Sequence, residues 1–292
     1  MTLLEYVNRA RARLDEAGVS FGHGTTHAHD EAAWLALAAL GLPLDALDAE
    51  ADRLLDAREC AAIEALVARR IETRQPAAYL THEAWLQGVA FYVDERAIVP
   101  RSLIAELIAD GGIDPWLSSA TRRVLDLCTG NGSLAVLAAL AWPEVAVDAS
   151  DVSAAALEVA RINVERHGLA DRIALQRADL LHGLRGDYDL ILCNPPYVNA
   201  ASMAALPAEY RAEPTLALAG GSDGMDLVRR ILRDAPAAMH DGAVLVLEIG
   251  HERAHFEAAF PRLEAVWLDT SMGGDQVLLA TREALLALPS TA

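Results

Sequence analysis

Apolar positions follow helical spacing in the first quarter of the chain and form short, strand-like runs in the rest. Leu3, Leu4, Val7, Ala10 and Leu14 fall on one helical face that Gly18 closes. A second helix is predicted from His29 or Asp30, running through Trp34, Leu35, Leu37, Ala38 and Leu40 to Gly41-Leu42-Pro43. A third covers 60–73 and is stopped by Gln75-Pro76. Over 79–101 the pattern changes to two apolar runs, "WLQGVAFYV" and "AIVPR", with Asp94-Glu95-Arg96 between them, which predicts a β-hairpin. "PRSLIAELI" then reads as a turn into a helix capped by Ser102.

After Thr121 strands and helices alternate, the pattern of a parallel α/β sheet. Strands are predicted at 124–128, 145–149, 173–176, 190–193, 243–249, 265–268 and 276–281, with helices at 133–141, 153–167, 226–239 and 253–260. "DTSMGGD" joins the last two strands directly, so the final strand should run antiparallel. The expectation is an α/β fold with a seven-stranded sheet, a helical domain over 1–78, a hairpin linker over 79–101 and a sheet domain over 102–292. No internal repeat is present.

Composition narrows the function classes. With 53% hydrophobic residues the chain is globular in character, and no apolar run reaches membrane-span length. Met1-Thr2-Leu3-Leu4-Glu5 lacks the basic start of a secretory signal. Three scattered cysteines, Cys60, Cys128 and Cys193, two of them in predicted strands, read as reduced core thiols of a cytoplasmic protein. Set against 24 basic residues, 42 acidic ones leave a net charge of −18. That surface repels phosphate backbones, excludes a dedicated duplex-DNA binder and suits a basic partner, though it also serves solubility. His23, His27 and His29 cluster in "FGHGTTHAHDEA", but without a cysteine and in a Gly/Thr loop setting, so no metal site is expected.

The candidate chemistry sits at the carboxyl ends of the strands, where open α/β sheets bind ligands. "DLCTGNG" offers Thr129, Gly130, Asn131 and Gly132 in a turn whose glycines admit close backbone approach. Its spacing is not GxGxxG, so a dinucleotide fits poorly. Asp151, nineteen residues after Gly132, stands where a carboxylate accepts from ribose hydroxyls, or alternatively caps the next helix. Asp179 and Leu180 follow the third strand at an adenine edge and face, a position a plain loop also fills. The fourth strand ends in Asn194-Pro195-Pro196-Tyr197, where two prolines bar further ladder pairing and leave one amide and one ring on a rigid platform.

Four such strand ends resemble the Rossmann-like methyltransferases that use S-adenosylmethionine, with Asn194 to Tyr197 as their amino-group signature. The resemblance implies that Thr129, Gly130, Asn131, Gly132, Asp151, Asp179, Leu180 and Asn194 bind the cofactor. It implies further that Asn194, Pro195 and Tyr197 are catalytic, and that Asn194, Pro195, Pro196 and Tyr197 form the substrate slot. "NAASMAALPAEYRAEPTLALAGGSDGMDLVRRIL" is similar to protein N5-glutamine methyltransferases (the HemK/PrmC/PrmB-like family). Leu206-Pro207-Ala208-Glu209-Tyr210-Arg211, together with "DLCTGNG" and Pro100-Arg101-Ser102, resembles the PrmB-type branch acting on the third protein of the large ribosomal subunit. Leu103 departs from the Pro commoner after that Ser.

The branch implies that Arg101 and Glu106 frame the glutamine and that the helical domain recognises a basic ribosomal protein, free or in a ribosome assembly intermediate. The alternatives are release-factor glutamine methylation, adenine-N6 methylation of nucleic acid, and a non-catalytic cofactor-binding adaptor. The second needs phosphate contacts and a pocket for a flipped base, and a chain at −18 with no Lys/Arg-rich segment argues against it. The third has no need of the amide slot.

Overall fold

The computed structural model describes residues 1–184 and 186–289. Helices Leu3–Glu16, Ala28–Leu40 and Ala57–Thr73 pack on one another around Leu3, Val7, Leu14, Leu35, Leu37, Ile63 and Val67. The first opens on a capping box in which Thr2 and Glu5 exchange hydrogen bonds, and the third on a second box between Asp56 and Glu59. That box starts the third helix at Ala57, ahead of the predicted 60. Buried Arg70 is held by Glu31 at 2.7 Å and by the Ser20 carbonyl at 2.9 Å.

The hairpin lies in another register than its apolar runs predict. Strands β1 (Ala84–Leu86) and β2 (Val89–Phe91) both come from the first run. Gln87 and Gly88, with φ +49 and +73, form the two-residue turn between them. The second run continues as unpaired chain after a turn in which Asp94 accepts from Tyr92 and Arg96.

The sheet contains β3 (Arg123–Leu127), β4 (Ala146–Asp151), β5 (Ile173–Arg177), β6 (Tyr188–Cys193), β7 (Met239–Glu248), β8 (Val266–Thr270) and β9 (Gly273–Thr281), in the spatial order β5-β4-β3-β6-β7-β9-β8. Pairings among β3 to β7 are parallel, and β9 runs antiparallel to both neighbours. Side chains alternate between two buried faces: Val124, Leu190, Leu192 and Val244 on one, Leu125, Ile191, Leu245 and Leu247 on the other. The predicted helix 226–239 ends at Asp234, because Pro236 denies it a donor, and β7 begins at Met239. The chain order reverses between β3 and β6, so their carboxyl ends open a crevice at the switch point.

Candidate active site

Two cavities meet at that crevice. The first, about 250 Å³, is lined by Gly130, Asp151, Asp179, Leu180 and Asn194 from the ends of β3 to β6, with Ile98, Pro196, Leu216 and Leu227 among its other walls. Gly130 and Leu180 adopt left-handed backbone angles, φ +55 and +52. A Cβ on Gly130 would meet no protein atom within 4 Å, so the position leaves open space beside the cavity. The Asp151 carboxylate accepts from Gly130 N–H at 2.9 Å and Ser153 N–H at 2.8 Å. Burial pushes its carboxyl above the ordinary value, and these backbone donors act the other way. Asp179 is exposed and pairs with Arg230 at 2.8 Å, a contact that lowers its carboxyl value.

Thr129, Asn131 and Gly132 belong to the same turn but do not line this cavity; they hold its shape. Thr129 Oγ1 donates to buried Asp126 at 2.5 Å, and Ala135 N–H donates to the same oxygen at 3.0 Å. Burial pushes Asp126 up to about 7. Asn131 donates to the Ile98 carbonyl at 2.7 Å and accepts from Ser133 N–H at 2.9 Å. Gly132 is needed for packing: a Cβ there would stand 3.0 Å from that of Ala160. Cys128 lies just beyond β3 at φ +62, not within the strand, and lines the cavity.

The second cavity, about 530 Å³, adjoins the first. Asn194, Ile98 and Ala217 line both. Asn194, Pro195 and Tyr197 lie on one wall, and the remainder comes from distant segments: Gly22, Arg101, Glu106, Tyr210, Glu248, His251 and Ser271. Pro196 faces the first cavity only. Among the described residues neither the Asn194 carboxamide nor the Pro195 carbonyl has a hydrogen-bond partner, so both acceptors are free.

Arg101 and Glu106 line this cleft, but their charged groups are spoken for. Arg101 forms a two-pronged pair with Glu213 at 2.6 and 2.8 Å, and its guanidinium lies 5.5 Å from the Tyr210 ring centre. Glu213 also accepts from Val99 N–H at 3.0 Å, and His23 Nε2 stands 3.4 Å away. The Arg101 and His23 contacts outweigh burial and hold the Glu213 carboxyl down at about 2. Glu106 accepts from Ser271 N–H at 2.8 Å and Ser271 Oγ at 2.6 Å, tying the β8–β9 turn to the helix Ile104–Ala109. The three histidines separate: His23 is buried against Tyr210, while His27 is exposed and pairs with Asp30.

Sequence reasoning missed Glu248, and it gave Glu213 no role beyond matching, with Pro214, the pattern shared by the glutamine methyltransferases. Glu248 read only as part of an apolar strand, although a carboxylate at a buried strand end is itself a signal. Ser102 is not the cap of its helix, contrary to expectation: the cap position is Leu103, without a side-chain bond, because the Ser102 hydroxyl is drawn to Glu248. That hydroxyl accepts from Ile104 N–H at 3.3 Å and donates to Glu248 at 2.6 Å, while Leu103 N–H also goes to Glu248, at 2.9 Å.

Residues 113–209 match the family model "Methyltransferase small domain", and residues 5–81 match "PrmC N-terminal domain". A Bordetella pertussis protein named ribosomal protein uL3 glutamine methyltransferase is 56% identical, with 97% of this chain and 96% of that protein covered. Proteins of the same name from Burkholderia pseudomallei and Neisseria gonorrhoeae are 52% and 50% identical, each pairing covering 98% of this chain and 96% of the relative. The chain belongs to the uL3 glutamine methyltransferase family. The stretch matched by the methyltransferase model thus contains β3 to β6, and the stretch matched by the other contains Gly22, which lines the cleft. Among solved structures, the hMettl16 catalytic domain bound to a MAT2A 3′UTR hairpin aligns at TM-score 0.53 and 15% identity, over 76% of this chain and 80% of that one. That likeness shows a shared fold alone.

Proposed function

We propose that the protein methylates the side-chain amide nitrogen of a glutamine in ribosomal protein uL3, with S-adenosylmethionine as methyl donor. The observation that carries this reading is that Asn194 lines both cavities, with its carboxamide free. The first cavity suits an adenosyl group, since it places a carboxylate on Asp151, open space at Gly130 and apolar walls at Leu180, Leu216 and Leu227. When bound there, S-adenosylmethionine supplies a methyl group on a positively charged sulfur.

The chain's own residues overcome the poor nucleophilicity of an amide, whose nitrogen lone pair is delocalised into its carbonyl. Asn194 Oδ1 and the Pro195 carbonyl each accept a hydrogen bond from one N–H of the substrate NH2. Held so, the nitrogen directs its lone pair towards the adenosyl cavity, and the same two oxygens stabilise the positive charge that grows on it. The N–C bond forms as the donor's S–C bond breaks, and the cationic N-methyl amide, a strong acid, then sheds one N–H proton to solvent without a general base. Tyr197 bounds the slot. Residues 1–78 serve substrate recognition, with 79–101 as linker and 102–292 as the catalytic domain. Among the described residues no helix is long and apolar enough to cross a membrane.

The net charge of −18 supports a basic partner and weighs against duplex DNA. The partner in this reading is a ribosomal protein, free or in an assembly intermediate, met in the cytoplasm. Incubation with labelled cofactor and unmethylated uL3, ribosomes or release factor tests the assignment. The expected result is label on a uL3 glutamine; label on release factor alone overturns it.

A further inference from the structure

Glu248 is buried at the carboxyl end of β7, on the strand beside the one that ends in the Asn194 tetrapeptide. One carboxylate oxygen accepts from Ser102 Oγ and Leu103 N–H, at 2.6 and 2.9 Å, and so anchors the linker where it enters the helix Ile104–Ala109. The other accepts from the Tyr197 hydroxyl at 3.3 Å. Glu248, Tyr197, Asn194 and Pro195 all line the substrate cleft, whereas neither Glu248 nor Tyr197 lines the adenosyl cavity. Tyr197 is confined on its other sides by glycines. A Cβ on Gly250 would stand 2.5 Å from the ring, and one on Gly220 would stand 2.7 Å from the Tyr197 backbone. Among the described residues, the hydroxyl's one hydrogen-bond partner is Glu248, which adds a polar restraint on how the ring sits over the amide slot. Burial and the nearby Glu248 carboxylate both raise the Tyr197 phenol value, so the phenol stays a neutral donor.

We infer that Glu248 is a positioning residue for methyl transfer: its two oxygens tie the linker to Tyr197 and thereby set the width of the slot that holds the substrate amide. The inference rests on the amide-methylation reading above and adds a residue to it. Glu248 acts through Tyr197, without bonding the reacting atoms, so it should govern turnover and leave the cofactor's own binding alone.

The decisive experiment is a double-mutant cycle on the full chain, with Glu248→Gln, Tyr197→Phe and the pair, using labelled cofactor and unmethylated uL3. Glutamine keeps the shape but turns one acceptor oxygen into an NH2 donor, which opposes either the Ser102–Leu103 donors or the Tyr197 hydroxyl. Glu248→Gln is expected to lower kcat by roughly 10- to 100-fold through misplacement of the slot, with affinity for S-adenosylhomocysteine unchanged within about threefold. The double variant should be no worse than the weaker single variant by more than about threefold, since both break one connection. Losses that multiply, an unchanged kcat, or cofactor affinity that falls in step with kcat would each overturn the role.

Ser102→Ala guards against a Glu248 variant that fails to fold, because it removes one donor and leaves Tyr197 intact. A kcat loss with an unshifted melting temperature supports the tether, and wild-type kcat refutes it. The two readings fail separately: an unreactive wild-type enzyme sinks the substrate assignment, while a fully active Glu248→Gln sinks the positioning role.

Discussion

The adenosyl cavity and the substrate cleft share Asn194 yet are built in different ways. The first draws most of its polar groups from successive strand ends, where each turn follows its own strand in sequence, with Arg96 and Arg230 added from the linker and the helix Asp226–Asp234. The cleft brings together Gly22, Arg101, Tyr197, Glu248 and Ser271, from five separate parts of the chain. Its wall is braced by long-range carboxylates: Glu213 to Arg101 and His23, Glu209 to the Ser20 N–H, and Glu248 to Ser102. A pocket for a cofactor shared by many enzymes can follow from local turns, whereas a pocket for one protein's glutamine depends on how separate segments dock.

Substitutions should separate the two regions, and the largest effect is expected where they meet. Asn194→Ala should lower kcat by about 10³-fold or more, as loss of an acceptor aimed at the reacting nitrogen does, while cofactor affinity stays within about tenfold. Titration calorimetry with S-adenosylhomocysteine beside single-turnover assays checks this, and a loss confined to cofactor binding would contradict it.

Next in size is Glu213→Gln, which leaves the half-buried Arg101 guanidinium without its carboxylate and should cost roughly 1–3 kcal/mol of stability, the range of a lost charged hydrogen bond. The same carboxyl gives a pH dependence. Its value falls from an ordinary 4.5 to about 2 on folding, so its stabilisation is complete above pH 4.5 and lost as pH falls through 2. Wild-type protein should lose on the order of 3 kcal/mol across that window through this group, and Glu213→Gln correspondingly less, in urea titrations at stepped pH.

Asp151→Ala should weaken cofactor binding by roughly 10- to 100-fold, the range of a lost charged hydrogen bond, with uL3 binding unaffected. An equal loss of uL3 affinity would erase the distinction between the regions. The smallest change is expected at Arg230→Ala, since its pair with Asp179 is exposed and screened, and cofactor affinity should shift by no more than about threefold.

The primary structure alone determined the alternating sheet, the antiparallel last strand, the helical start and the strand-end residues Gly130, Asp151, Asp179, Leu180 and Asn194. Each of these rests on a periodicity or a turn that one segment carries by itself. The hairpin register is equally local but weakly signalled, because Gln87 lacks the short polar side chain by which Asn or Asp favours positive φ at the first turn position. Only tertiary docking decided that Arg101 faces Glu213, that Glu106 holds Ser271, and that Glu248 completes the start of a helix 145 residues earlier in the chain. These are pairings between charges or donors far apart in sequence. No periodicity encodes which buried carboxylate will meet which donor; that is settled when the packed faces bring them within hydrogen-bond reach and burial makes an unpaired group costly.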